Sequence, residues 1–187
     1  MNKRILLLLV FILLLPSCRS NQKLTKMMND FSMSEIKLPE MRQMVMGEDS
    51  VCIDLDTVPV LLVVYRDPDA CVPCQLDHMY AYQKVIDFGI GRSGFSPVFI
   101  FSPKKNRVED VHLTLCRTRF RHPVFFDEEG LFFAANKNIP KNPELHVFLL
   151  DKNRKVIVSG DPSHNSQLWD FYKRIIVLML DNGGTMP

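Results

Sequence analysis

The apolar run from Val58 to Tyr65, followed shortly by Cys71-Val72-Pro73-Cys74, constrains this chain more than any other feature. A continuous, β-branched stretch of this kind is what a strand buried on both faces requires. Two cysteines spaced by two residues, where such a strand gives way to a helix, point to thiol–disulfide chemistry. The unpaired N–H groups of a helix start favour a thiolate, and the spacing lets the two sulfurs meet. Pro73, in the first helical turn, removes only an N–H that would have had no partner there.

The N-terminus sets the compartment that such chemistry would face. Lys3 and Arg4 precede Ile5 to Leu15, which is apolar throughout. That stretch is too short to cross a bilayer, which takes about 20 residues, and it reads as a targeting segment. Its ending, Leu15-Pro16-Ser17-Cys18, resembles the lipobox of bacterial lipoproteins, which implies a signal peptide over 1–17, cleavage ahead of Cys18 and lipid on that cysteine. An uncleaved tether, or an ordinary export signal with an unrelated Cys18, are the alternatives. Arg19 and Ser20 lack the acidic residue that in resembling lipoproteins marks inner-membrane retention or surface export. The expectation is a cell-envelope protein anchored in the outer membrane and facing the periplasm.

The formal net charge of +2 belongs to Lys3 and Arg4, so the processed chain is neutral. It has no basic cluster that would call for nucleic acid. There is no Gly-rich phosphate loop and no nucleophilic Ser motif. Beyond Cys18, four cysteines remain, Cys52, Cys71, Cys74 and Cys116. Of their three full pairings, sequence proximity favours Cys71 with Cys74. Cys52 and Cys116 read as buried apolar residues, with a disulfide between them as the alternative. Met27, Met28, Met33, Met41, Met44 and Met46 crowd a segment with helical spacing. They read as packing residues, with Cu(I) binding by thioethers as the lesser alternative.

From there strand and helix alternate. Val51–Leu55 and Val58–Tyr65 are predicted strands, Val72–Phe88 a helix, Pro97–Phe101 a strand and Val108–Phe120 a helix. Val124–Phe126 is a brief strand and Glu128–Ala135 a helical turn. Leu145–Leu150 and Lys155–Val158 form a hairpin across Asp151-Lys152-Asn153-Arg154, and Ser166–Leu180 is an amphipathic closing helix.

This order, with Cys71-Val72-Pro73-Cys74 and Phe148-Leu149-Leu150-Asp151, resembles the thioredoxin-like exported reductases of the TlpA and ResA type. The resemblance implies an α/β fold with a central mixed β-sheet flanked by helices. The chain then divides into a signal (1–17), a tether (18–26), an N-terminal extension (27–57) and a thioredoxin-like domain (58–182). It implies Cys71 as nucleophile and Cys74 as resolving thiol. The partners would be a protein thiol or disulfide substrate, a redox partner and the membrane through Cys18. No cofactor is expected. Asp67 and Asp69, just ahead of the motif, would oppose the thiolate and hold the fall of its pKa to a moderate one.

The chain also departs from that family. Ala70 stands where an aromatic residue usually precedes the first cysteine, and Tyr65 where many thioredoxins place a buried Asp. Near Leu145, where the family carries a cis-proline, either Pro143 serves from a shifted loop or the cis-proline is absent. That absence brings forward a metal-binding alternative, in which Cys71, Cys74 and His78 or His146 hold zinc or copper. The plainer reading of His78 is a hydrogen-bonded, partly buried side chain. A non-catalytic binding domain is the third possibility.

Overall fold

A computed structural model describes residues 15–50, 53–69, 78–118 and 120–187, with side chains from residue 22 onward. Five α-helices are seen among them: α1 (Leu15–Phe31), α2 (Gln83–Gly89), α3 (Val108–Thr118), α4 (Leu131–Ala135) and α5 (Ser166–Asp181). The strands are β1 (Arg42–Val45), β2 (Glu48–Asp49), β3 (Val60–Arg66), β4 (Phe95–Phe101), β5 (Val124–Phe126), β6 (Val147–Leu150) and β7 (Val156–Ser159). They form one sheet in the order β2-β1-β5-β4-β3-β6-β7. Strands β3, β4 and β5 run parallel, and the pairs outside them are antiparallel.

Strand β3 is the axis of the molecule because its sequence offers no polar face. Val60, Leu62 and Val64 pack with Met79, Tyr82 and Val85 and with Trp169, Tyr172, Ile176 and Met179 of α5. Leu61, Val63 and Tyr65 point the other way, to Phe31, Ile36, Phe132 and Phe148. The period-2 alternation of a strand thus feeds two cores from one apolar run. Helix α5 is set by Asn165, whose Oδ1 accepts from the Leu168 N–H at 2.9 Å.

The helix expected over Val72–Phe88 takes a different form in its described part. Met79–Tyr82 is a 3-10 turn, and α2 begins only at Gln83. In a 3-10 turn, side chains three apart eclipse, and here Met79 and Tyr82 both face the core. The N-terminal stretch differs more. The polar residues expected as a tether lie within α1, which ends on buried Phe31. The methionine segment is not one helix but a helix end, a turn at Met33 and a β1–β2 hairpin with only Met44 fully buried among its hairpin methionines. The strand expected at Val51–Leu55 is replaced, over its described part, by a 3-10 turn at Leu55–Thr57.

The chain between α1 and β1 lies along the outer edge of β7. Met33 N–H donates to the Val156 carbonyl at 2.7 Å, Val156 N–H to the Ser34 carbonyl at 2.9 Å, and Ile36 N–H to the Arg154 carbonyl at 2.9 Å. Asn136, after α4, fixes the next residue: its Oδ1 accepts from Lys37 N–H and its Nδ2 donates to the Lys37 carbonyl, both at 2.8 Å.

Candidate functional site

Strand β3 delivers the chain to the cysteine motif, so the residues at its carboxyl end define the neighbourhood. Tyr65 N–H donates to the His146 carbonyl at 2.8 Å, and Ser102 N–H to the Arg66 carbonyl at 3.0 Å. These bonds bring the starts of three segments together at one edge of the sheet: residues 65–69, 102 and 146. Crevices at the carboxyl ends of parallel strands are where α/β sheets place their chemistry. A cleft of about 460 Å³ opens there, between Tyr65 to Asp69 on one side and Phe133, Lys137, Ile139 and Pro143 on the other.

Its chemistry is mixed. Phe133 is 45% exposed, and the Lys137 ammonium sits 4.0 Å over its ring. Ile139, Pro140 and Pro143 add apolar wall, and Arg66, Lys141 and His146 add nitrogen groups. The acidic residues expected to oppose a thiolate each have a cationic or basic neighbour. Asp69 pairs with Lys104 at 2.9 Å, and Asp67 Oδ2 lies 3.7 Å from His146 Nδ1. The Lys104 ammonium lowers the Asp69 pKa from its ordinary value.

His146 is 4% exposed. Its Nε2–H donates to the Pro140 carbonyl at 2.8 Å, which leaves Nδ1 facing Asp67. Burial lowers its pKa, outweighing the Pro140 bond and the attraction of Asp67, while Arg66 adds to the lowering. Tyr65 is buried against the Phe132 and His146 rings. Burial raises its pKa, and its hydroxyl has no hydrogen-bond partner among the described residues. The adjacent Ser102 gives its own proton to Asp127 Oδ2 at 2.6 Å.

Cys71 and Cys74 lie outside the described residues, as do Cys52 and the side chain of Cys18, whose backbone belongs to α1. His78 is exposed, not partly buried, and sits at the head of the 3-10 turn with its ring 6.3 Å from that of Tyr80. Among the described residues, no three His, Cys, Asp or Glu side chains gather as metal ligands. His146 bonds the Pro140 carbonyl, and the cysteines of the expected metal-ligand set lie outside the described residues. Cys116 is a free thiol and is exposed, which corrects its reading as a buried residue. It sits on the last turns of an amphipathic helix whose buried stripe is Val111 and Leu115. His112 and His122 bond the carbonyls of Gly47 (2.8 Å) and Pro97 (3.0 Å).

The loop before β6 settles the proline alternatives. Pro143 opens a 3-10 turn, Pro143–Leu145, capped by Asn142, and no peptide bond among the described residues is cis. Sequence reasoning passed over Arg66, Tyr82 and Asp161. Arg66 Nη2 donates to the Tyr82 hydroxyl at 2.9 Å, and that hydroxyl donates to Asp161 Oδ2 at 2.6 Å. A cation ending an otherwise apolar strand was the available signal for Arg66. Asp161, distant in the chain, carried none.

No protein-family model and no curated protein matches the sequence. Solved structures do match. The thioredoxin domain of a thiol-disulfide oxidoreductase from Bacteroides vulgatus superposes with a TM-score of 0.50 at 14% identity, over 75% of this chain and 96% of that one. The mitochondrial 2-Cys peroxiredoxin from Plasmodium falciparum superposes with a TM-score of 0.51 at 12% identity, over 83% of this chain and 99% of that one. At such identities the likeness is one of fold. With the mixed sheet and its helices on both faces, it establishes that the chain has a thioredoxin-like fold with an N-terminal extension.

Proposed function

We propose that this chain exchanges thiols and disulfides through Cys71 as nucleophile and Cys74 as resolving thiol. The supporting observation is the position of the motif in a thioredoxin-like fold: Cys71 and Cys74 fall between the carboxyl end of β3 and the turn that leads into α2. In this reading, the cleft beside Tyr65, Phe133 and His146 receives the partner's backbone. Cys71 attacks one sulfur of the partner disulfide and releases the other as a thiol, and Cys74 then breaks the mixed disulfide, releasing the second partner sulfur as a thiol and closing the Cys71–Cys74 bond. The partners are a protein thiol or disulfide and a second redox protein that restores the starting state. Lipid on Cys18 anchors the protein in the cell envelope, at the outer membrane facing the periplasm, as a TlpA- or ResA-like lipoprotein. No helix among the described residues is long and apolar enough to cross a membrane.

The test is a disulfide-reduction assay with the full-length protein and its Cys71→Ser and Cys74→Ser variants, joined to a redox titration with thiol mapping. Expected are loss of turnover in Cys71→Ser, a trapped mixed disulfide in Cys74→Ser, and a reversible pair with a potential between about −120 and −270 mV. A pair resisting reduction below about −300 mV would make the disulfide a structural staple and the chain a non-catalytic binding domain. Equal activity in Cys71→Ser and wild type would also sink the proposal.

A further inference from the structure

Helix α5 presents two different faces. Trp169, Tyr172, Ile176 and Met179 are buried in the core against the sheet, while Phe171 (42%), Val177 (44%) and Leu178 (42%) are exposed on the far side. Val177 and Leu178, with Asp170, Lys173, Arg174 and Asp181, line a shallow groove of about 730 Å³. At about 100° per residue, Arg174 and Asp181 fall near the centre line of this face, with Val177 on one flank and Leu178 and Phe171 on the other. The C-terminal half of the helix lies at the amino end of β3: Leu180 stands beside Gly94, whose carbonyl accepts from Val60 N–H at 3.0 Å. The exposed face is thus at the end of the sheet away from the cleft.

Its charges are of both signs, and two of them are matched within the chain: Lys173 Nζ pairs with Asp170 Oδ1 at 2.8 Å. Arg174 and Asp181 are two turns apart, about 10.5 Å along the axis, too far to pair with each other. Asp181 also ends the helix, where the dipole disfavours a carboxylate, and the last turn holds no basic residue to offset it. A second α5 laid antiparallel on the first, with the two-fold axis level with the Val177–Leu178 peptide, answers both charges. Arg174 of each copy then stands opposite Asp181 of the other, which brings a cation to each helix C-terminus. Leu178 meets its own counterpart on one flank, and Val177 meets its counterpart on the other. A lipid surface would call for an excess of basic residues around the apolar ones, whereas this groove is lined by equal numbers of each sign.

We propose that the exposed face of α5 is a contact between two copies of this chain, antiparallel and two-fold, held by reciprocal Arg174–Asp181 pairs and by Val177 and Leu178 packed on their counterparts. One helix face buries less than the roughly 1,200 Å² of a standard interface, so the dimer is weak and reversible. The inference is independent of the thiol-exchange reading, and it sets the cleft of each copy away from the contact.

The test is sedimentation equilibrium of the full-length chain over a concentration series in a density-matched non-ionic detergent. Wild type is expected to pass from monomer to dimer as concentration rises. Arg174→Asp and Asp181→Arg each set like charges opposite one another twice, and each should weaken the dimer by about tenfold or more. An equimolar mixture of these two variants should recover wild-type association as a heterodimer, because every facing pair is then opposite in sign. Leu178→Glu should leave a monomer. All three positions are exposed, so the variants should keep the unfolding temperature of wild type; should either charge variant fail to fold, Leu178→Glu still decides. A wild type that stays monomeric, a dimer indifferent to the charge variants or to Leu178→Glu, or a mixture that associates no better than its components overturns the inference.

Discussion

Two histidines, buried His146 and half-buried His122, carry a pH dependence whose sign the structure determines. Burial lowers the pKa of His122, against a weaker pull from its bond to the Pro97 carbonyl, and burial is also the leading cause at His146. In the unfolded chain both titrate near about 6.5. As pH falls below that value, the unfolded chain takes up protons that the folded chain refuses. The stability they contribute is therefore full above about 6.5 and is lost as pH falls through the lowered folded values. The unfolding temperature should drop between pH 7.5 and pH 5.5, and His122→Gln should flatten the drop; an unchanged slope in that variant would assign the effect elsewhere. At this scale the sequence disclosed residue identities and few partners. Cys71 and Cys74 announce themselves by spacing, but Arg66 acquires meaning only through Tyr82 and Asp161, which the fold brings to it.

At the scale of elements, the strands β3 to β7 and the helices α3 and α5 were legible, because each buries an apolar run or stripe that polar residues interrupt. The β1–β2 hairpin was not. Arg42, Gln43, Glu48 and Asp49 offer no apolar alternation, and the neighbouring methionines imitate a helical period. Its turn is a backbone matter. Met46 and Gly47 both have positive φ, 54° and 85°, as a two-residue hairpin turn requires. A Cβ on Gly47 would stand 2.2 Å from Cys116 Sγ. Gly47→Ala should thus lower stability by about 1–3 kcal/mol, read as a shift of the urea midpoint. Substitution without loss would mean that the hairpin and α3 can separate freely.

At the scale of the molecule, the sheet has two rims and treats them differently. The β2 rim is short and charged, Glu48 and Asp49, which discourages pairing with another chain. The β7 rim is covered by Met33 to Ile36, while Phe31 stacks edge-on against Phe148 at 5.3 Å. A chain beginning at Leu38 should have a lower urea midpoint and a smaller m-value, since it buries less surface. It should also associate with rising concentration in light scattering. A truncated chain that stays monomeric with an unchanged midpoint would show the segment to be dispensable.

Docking of the N-terminal helix by its last residue has a mechanical consequence. From Cys18 to Phe31 the helical rise amounts to about 20 Å. With lipid on Cys18, the domain would stand on a stiff post and not swing on a leash. The height of the cleft above the bilayer would then be narrowly distributed, and a partner anchored in the same leaflet would meet it, or miss it, according to the length of its own stem.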